Sequence, residues 1–410
     1  MHFLSGRIVR RGAALAVAFV VMLAVGQTAT AQTESVLYTF CSQTNCADGA
    51  QPVAGLIMDK KGNLYGTTVY GGANNGGTVF EVSNAQVETV LYSFCSLTSC
   101  MDGKYPYAGL IMDKKGNLYG TTQVGGYGGG VAFEVSPPAK KGGAWTEKVL
   151  YYFCTLTNCE DGTFPYAGLI MDKEGNLYGT TFGGGTGGYG TVFELVNSSG
   201  SYRLNVLYSF TGENGDGANP EAGLIMDSEG NFYGTTTYGG NANQDGIVFR
   251  FTPGLGEDVI YTFCSSTNCA DGARPAAGLI MDKDGNLYGT TMGGGAYGYG
   301  TVFELLPYPA LYSFDGDNGS DPQAGLLMDS EGNLYGTTVG GGASGVGTVF
   351  TVFKGPFGYT EQIYSFESKP GCADGANPRA GLIMDKEGRL YGTTQGGCTN
   401  SQGTVFMVTP

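Results

Sequence analysis

The amino-acid sequence predicts an all-β protein: a seven-bladed β-propeller with four antiparallel strands per blade, the ring closed by the N-terminal strand. Three observations carry this. The segment Ala-Gly-Leu-Ile-Met-Asp recurs seven times, beginning at Ala54, Ala108, Ala167, Ala222, Ala277, Ala324 (as Ala-Gly-Leu-Leu-Met-Asp) and Ala380, at intervals of 47 to 59 residues. Each copy leads into Gly-Asn-Leu-Tyr-Gly-Thr-Thr or a near variant, then Gly-Thr-Val-Phe-Glu-Val, then Val-Leu-Tyr-Ser-Phe. That makes four short apolar runs in each period of about 50 residues, the pattern of propeller blades. Finally, the last unit stops after its third run, Thr404–Val408, while the orphan run Val36–Phe40 matches Val90–Phe94.

The elements of the first unit follow in order. Ala54–Asp59 is the innermost strand. Lys60-Lys61-Gly62-Asn63 makes the hairpin, with Asp59 accepting from the turn backbone and Gly62 supplying positive φ. Leu64–Thr68 returns, its β-branched Thr pair suited to a pleated surface. The Gly-rich loop Tyr70–Gly77 leads to Thr78–Val82, and a variable loop leads to the outer strand Val90–Phe94. Strands of five to seven residues are ordinary in length. A lone blade cannot bury both faces; stacking blades in a ring covers the Leu, Ile, Val, Phe and Tyr between them. One domain, residues 35–410, is expected.

Residues 1–31 read as a cleaved signal peptide. Arg7, Arg10 and Arg11 precede an apolar stretch from Ala13 to Val25, and Ala29-Thr30-Ala31 forms a small-residue cleavage site. The stretch is too short and wrongly flanked for a spanning helix. Arg10-Arg11 hints at twin-arginine export, but its surroundings match that signal poorly. No Cys follows the cleavage site, and the chain closes at Pro410 directly after its last strand, so neither a lipid nor a C-terminal anchor is expected. The chain carries a net charge of −15, and without the three leader arginines 36 acidic residues face 18 basic ones. That balance argues against nucleic acid and anionic membranes as partners and favours a secreted monomer, periplasmic or extracellular. The 73 glycines lie between apolar runs and read as turn chemistry.

Ten cysteines in an exported chain point to disulfides. Four pairs share one spacing, Cys41/Cys46, Cys95/Cys100, Cys154/Cys159 and Cys264/Cys269, and Cys372 and Cys398 make a fifth. Zinc sites prefer tighter Cys pairs and often His, and the single His, His2, leaves with the leader. The two units without these pairs have shorter loops, and a staple helps most where the loop is long.

Two sets of candidate site residues share the face of the Cys and Gly-rich loops. Asp48, Asp102, Asp161, Asp216, Asp271 and Asp374 recur near the inner strands, where a ring of carboxylates would suit Ca²⁺; the alternative is that Asp-Gly makes a turn. Tyr70, Tyr127, Tyr189, Tyr238, Tyr297 and Tyr299 punctuate the Gly-rich loops, where aromatic rings can stack on sugars or pack over neighbouring loops. Trp145, beside Lys140, Lys141 and Lys148, carries no clear signal.

The Ala-Gly-Leu-Ile-Met-Asp-Lys-Lys-Gly-Asn-Leu-Tyr-Gly-Thr-Thr segment resembles the inner strands of NHL and lactonase-like propellers. Across all seven units, Gly-Asn-Leu-Tyr-Gly-Thr-Thr followed by Gly-Gly and Gly-Thr-Val-Phe-Glu resembles the bacterial GloVer family of choice-of-anchor tandem-repeat proteins. The resemblance implies a propeller at the bacterial cell exterior and brings no catalytic residues to carry over. The varied anchors for which that family is named are not expected here.

Two functions follow. The first is a non-enzymatic scaffold that binds a surface glycan or a protein. The alternative is a carboxylate- or Ca²⁺-dependent enzyme, a lyase, hydrolase or lactonase-like, acting on a carbohydrate or lactone. A mature chain without His has no Ser–His or Cys–His mechanism, and the Gly-rich loops lack the strand–GxGxxG–helix context of nucleotide binding. Near-identity of the units argues against a specialised pocket.

Overall fold

The computed structural model describes residues 33–305, 310–355, 358–366, 373–397 and 402–409. The leader reading and the Cys372–Cys398 pair lie outside these. Seven four-stranded antiparallel sheets follow one another along the chain. Blade 1 comprises Ile57–Met58, Leu64–Thr68, Thr78–Val82 and Glu88–Ser93, and blades 2 to 6 repeat the order. Blade 7 takes Ile383–Met384, Leu390–Thr394 and Thr404–Thr409 from the C-terminal end and Thr33–Thr39 from the N-terminal end. Thr33 pairs with Thr409 and Thr39 with Thr404, so the orphan strand closes the ring.

The innermost strands are shorter than the sequence suggests. Only Ile57 and Met58 of Ala54–Asp59 join the ladder in blade 1. The reason lies at the axis, where the backbone bonds to the neighbouring blade instead. The Thr67 hydroxyl donates to the carbonyl of Ala108 at 3.0 Å, and the same bond runs from Thr121 to Ala167, Thr180 to Ala222, Thr235 to Ala277, Thr290 to Ala324, Thr337 to Ala380 and Thr393 to Ala54. The glycine after each of these alanines faces its counterpart. A Cβ on Gly381 would stand 3.1 Å from the Gly325 carbonyl oxygen, and one on Gly109 3.3 Å from that of Gly55. The inner segments thus converge backbone to backbone, most tightly at Gly381, Gly109 and Gly223, where a side chain would press on the neighbouring carbonyl.

Between blades the core is aromatic. Phe94, directly after the blade 1 outer strand, meets Phe133 of blade 2 edge to face, with centroids 4.9 Å apart, and the pattern continues from Phe153 to Phe193 through Phe366 to Phe406. Phe40, directly after the closing strand, packs on Phe80 of blade 1 in the same way. All of these rings are buried. The glycine of each Leu-Tyr-Gly-Thr-Thr run makes room for them: a Cβ on Gly66 would fall 2.7 Å from the Phe80 ring and 2.9 Å from Leu56.

The hairpins between the two inner strands are held by one carboxylate each. Asp59 accepts from the N–H groups of Lys61 and Asn63, from Asn63 Nδ2 and from the Tyr65 hydroxyl. In blade 7 Arg389 replaces the Asn and donates Nε to Asp385 at 2.6 Å. Burial pushes these carboxyls up, but the hydrogen bonds outweigh it and hold Asp227, Asp282, Asp329 and Asp385 below the usual carboxylate range. Glu88, Glu147 and Glu257 behave in the opposite way. They occupy one register of the outer strands, four residues before the Tyr, and each keeps one carboxyl oxygen buried without a hydrogen-bond partner. Burial, then the neighbouring Asp48, Asp102 or Asp216, raises them to about 7, 8 and 7.

Two outcomes are expected. Deleting residues 33–40 removes the closing strand and the Phe40–Phe80 contact and bares the edge of Thr404–Thr409. Size-exclusion chromatography and thermal melting should show aggregation and a fall in Tm, and a monomer of unchanged Tm would contradict the closure. The pH dependence has a definite sign. Stabilisation from Glu88, Glu147 and Glu257 is fully present below their ordinary value of 4.5 and is lost as pH rises to 7–8. That from the hairpin aspartates is present above their ordinary 3.8 and is lost as pH falls below it. Tm should therefore be higher near pH 5.5 than near pH 8, and Glu88→Gln with Glu147→Gln should narrow the difference.

Candidate functional site: the axial mouth of the loop face

Cys loops and Gly-rich loops emerge on one face and are zipped together in every blade. Ala50 bridges Tyr70, Lys104 bridges Val124, and Thr163 bridges Gly183, with matching bridges at Ala273, Ser320 and Ala376. In blade 4 the bridge lengthens to a two-stranded ribbon, Gly217–Ala218 with Tyr238–Gly239. Each Cys loop then descends to the axis through an x-Pro-x-Ala-Gly segment. The residue before the proline stands in the left-handed region in all seven: Gln51, Tyr105, Phe164, Asn219, Arg274, Asp321 and Asn377, at φ 54° to 62°. Such backbone costs about 1–3 kcal/mol per residue and persists where surroundings over-determine it. Here the N–H of Tyr105 donates to Gly76 of the preceding blade and its carbonyl accepts from Gln123, an arrangement repeated around the ring.

The residue after each proline points to the axis. These are Val53, Tyr107, Tyr166, Glu221, Ala276, Gln323 and Arg379, and together with Phe182 and Gln395 they line a cavity of about 510 Å³. One wall is aromatic. Tyr107 and Tyr166 meet edge to face at 5.5 Å, as do Tyr166 and Phe182 at 5.4 Å. Gln123 Nε2 donates to the Tyr166 hydroxyl. The other wall is polar. Arg379 donates Nε to Gln395 Oε1 and Nη1 to Gln323 Oε1, both at 2.6 Å. Burial pushes the Tyr107 hydroxyl up to about 12, with Tyr70 adding to it and Arg379 opposing it, so it stays protonated. Burial also raises Tyr166 and the Glu221 carboxyl. The lining thus combines stacking surface, neutral hydrogen-bonding groups, one carboxyl and one guanidinium.

This cavity runs against the expectation that near-identical units leave no specialised pocket. The repeats are alike in their framework and differ where they face the axis. The signal was present in the sequence as the single variable position inside Pro-x-Ala-Gly-Leu, and a second follows Thr-Thr at Gln123, Phe182 and Gln395. Only the ring brings these positions together.

The tyrosines singled out from the sequence stay apart on the same face. Tyr70 packs on Tyr105 at 5.0 Å, and Tyr127 on Tyr152 at 5.4 Å. Tyr189 covers Gly212 and Tyr299 covers Gly316, both in the next loop. Tyr238 borders a groove with Asn243, Gln244 and Arg274, and Tyr297 stands 64% exposed. No ring contact joins two of the six among the described residues.

The aspartates sit inside their own loops. Asp48 is fully buried and accepts from the Tyr38 hydroxyl, the Ser42 N–H and hydroxyl, and the Gln43 N–H. Asp102, Asp161 and Asp271 repeat this cage. Asp216 accepts from Thr211, and Asp374 from Tyr364. A shared Ca²⁺ needs six to eight oxygens at 2.3–2.6 Å, and each of these carboxylates is engaged within the loop of a different blade. Among the described residues the one grouping of three His, Cys, Asp or Glu within metal-ligand reach is Asp245, Cys264 and Cys269, and those two sulfurs are bonded to each other. The disulfides Cys41–Cys46, Cys95–Cys100, Cys154–Cys159 and Cys264–Cys269 are formed. They close loops whose cysteines all stand at positive φ, 52° to 62°.

Fold and repeat together define a seven-bladed β-propeller of tandem units. The chain belongs to the Gloeobacter/Verrucomicrobia repeat family, which matches residues 24–245 and 225–410. Comparison with curated proteins gave no match. Among solved structures, a puromycin hydrolase in complex with PGG is similar at 11% identity and a TM-score of 0.52, over 87% of this chain and 52% of its own. A candidate 6-phosphogluconolactonase of Bacteroides fragilis is 15% identical over 83% of this chain and 88% of its own, with a TM-score of 0.46. A candidate gluconolactonase is 11% identical over 92% of both chains, with a TM-score of 0.39. Likeness at these identities concerns the fold alone.

The aspartate cages carry their own expectation. Asp102→Asn sets an amide among the N–H donors of Ser96 and Leu97 and should lower Tm by several degrees. The loss should be the same with and without about 1 mM Ca²⁺. A micromolar, Ca²⁺-specific rise in Tm that vanishes in this variant would instead assign the aspartates to a metal.

Proposed function

We propose that this chain is an exported, disulfide-stapled propeller that binds a saccharide in the axial cavity of its loop face without transforming it. One observation carries the reading: within the otherwise constant Pro-x-Ala-Gly-Leu frame of every unit, the position that varies is the one that lines that cavity. A purely structural ring has no need for different residues at the one position per blade that faces the axis. The lining suits a sugar, whose ring faces stack on aromatic side chains while its hydroxyls pair with amides and phenols. Glycoside hydrolysis uses two carboxyl groups; the lining holds one, Glu221. Export is supported by the leader pattern of residues 1–31 and by four disulfides, which persist in oxidising compartments. Among the described residues no helix is long and apolar enough to cross a membrane.

The test contrasts the mouth with the rim. On a glycan array and by calorimetry with the saccharides it identifies, Tyr107→Ala and Tyr166→Ala should weaken binding roughly tenfold or more, since a lost stacking partner is worth about 1 kcal/mol or more. Tyr127→Ala and Tyr297→Ala should leave it unchanged. The reverse pattern would move the site to the rim.

A further inference from the structure

We infer that the axial cavity selects a carboxylate-bearing saccharide, such as a hexuronate, with Arg379 receiving the carboxylate and Tyr107, Tyr166 and Phe182 receiving the sugar ring. This rests on the reading of the cavity as a saccharide site and names the class of sugar.

The guanidinium is the first observation. Arg379 is the one cation lining the cavity, in a chain of net charge −15. In so acidic a protein an arginine readily finds a carboxylate, as Arg250 does in Asp258 and Arg389 in Asp385 and Glu387. Arg379 is held by two neutral amide oxygens instead, Gln395 Oε1 within its own blade and Gln323 Oε1 from blade 6. The two bonds fix the plane of the group without neutralising it. A guanidinium has five N–H donors, so those not used by the amides remain for a ligand. A fixed, uncompensated guanidinium is suited to a planar oxyanion.

The second observation is the opposite wall. Tyr107, Tyr166 and Phe182 form a continuous edge-to-face series from blades 2 and 3. Bare anions such as acetate or phosphate have no use for such a surface, whereas a sugar ring does. A cavity of about 510 Å³ admits one or two sugar units. One guanidinium matches a monoanion, and a dianionic phosphate would leave a charge unmatched. Burial raises the one lining carboxyl, Glu221, above its ordinary value.

The probes are the methyl glycoside of galacturonate, a monoanion, and its methyl ester, which keeps the shape and removes the charge. Calorimetry on the whole chain should show the acid bound roughly tenfold or more tightly than the ester. Arg379→Gln should bring the acid down to the level of the ester, with an unchanged Tm showing that the variant is folded. Arg379→Lys should retain part of the preference. Equal affinities for acid and ester, or a preference that survives Arg379→Gln, would overturn the acidic specificity while the saccharide reading stood. Binding of neither would overturn both.

Discussion

The contact between adjacent blades is what everything else in this protein depends on. A blade of four short strands has no core of its own. Its stability comes from the Phe directly after one blade's outer strand that reaches onto the next blade's Phe, and from the Thr hydroxyl that reaches to the next blade's Ala carbonyl near the axis. Each aromatic pair contributes about 0.5–1.5 kcal/mol beyond its buried area, and each hydrogen bond contributes about 1 kcal/mol. Neither is large alone. The same two contacts occur at all seven junctions, including the one made by Thr393 with Ala54 and Phe40 with Phe80, where the chain's two ends meet.

Repetition of that contact explains the residues that do not vary. The glycine of Leu-Tyr-Gly-Thr-Thr is the seat of a Phe ring, the second Thr faces its partner across the ladder, and the glycine after Ala permits the backbones to converge. The first two constraints lie within a blade and the third between blades, and they recur around the ring, with Val131 and Ile247 standing opposite the second Thr in blades 2 and 4. The residue between Pro and Ala is free of them. It faces the axial space, where seven side chains of six kinds build one asymmetric cavity.

The loop face is costly in backbone terms and is held together accordingly. Cysteines, asparagines and the residues before proline adopt left-handed conformations there. A disulfide, a buried Asp cage and bonds to the preceding blade's loop fix each of the stapled loops. The rigid loops hold the mouth residues in place, and Arg379, clamped by two glutamines, is the clearest example. Acidic residues split in two by surroundings: those receiving N–H and O–H donors stay ionised, and those buried on the outer strands without enough donors are pushed toward neutrality.

The sequence by itself determined the seven-fold repeat, the strand order within a unit, the closing strand and the four loop disulfides. Each is local or periodic: apolar runs, Asp-x-x-Gly-Asn hairpins, Cys pairs five residues apart, and an orphan strand matched to a missing one. The length of the inner strands was not legible, because Ala108 gives its carbonyl to a Thr of another blade and that exchange exists only once the ring is closed. Nor was the site. Tyr107 and Arg379 are 272 positions apart, and the sequence shows each as one substitution in a constant frame. The exposed tyrosines of the Gly-rich loops drew attention because they repeat, but tertiary structure seats them on separate loops. The cavity was decided by ring closure, which sets one residue from every blade around a common axis.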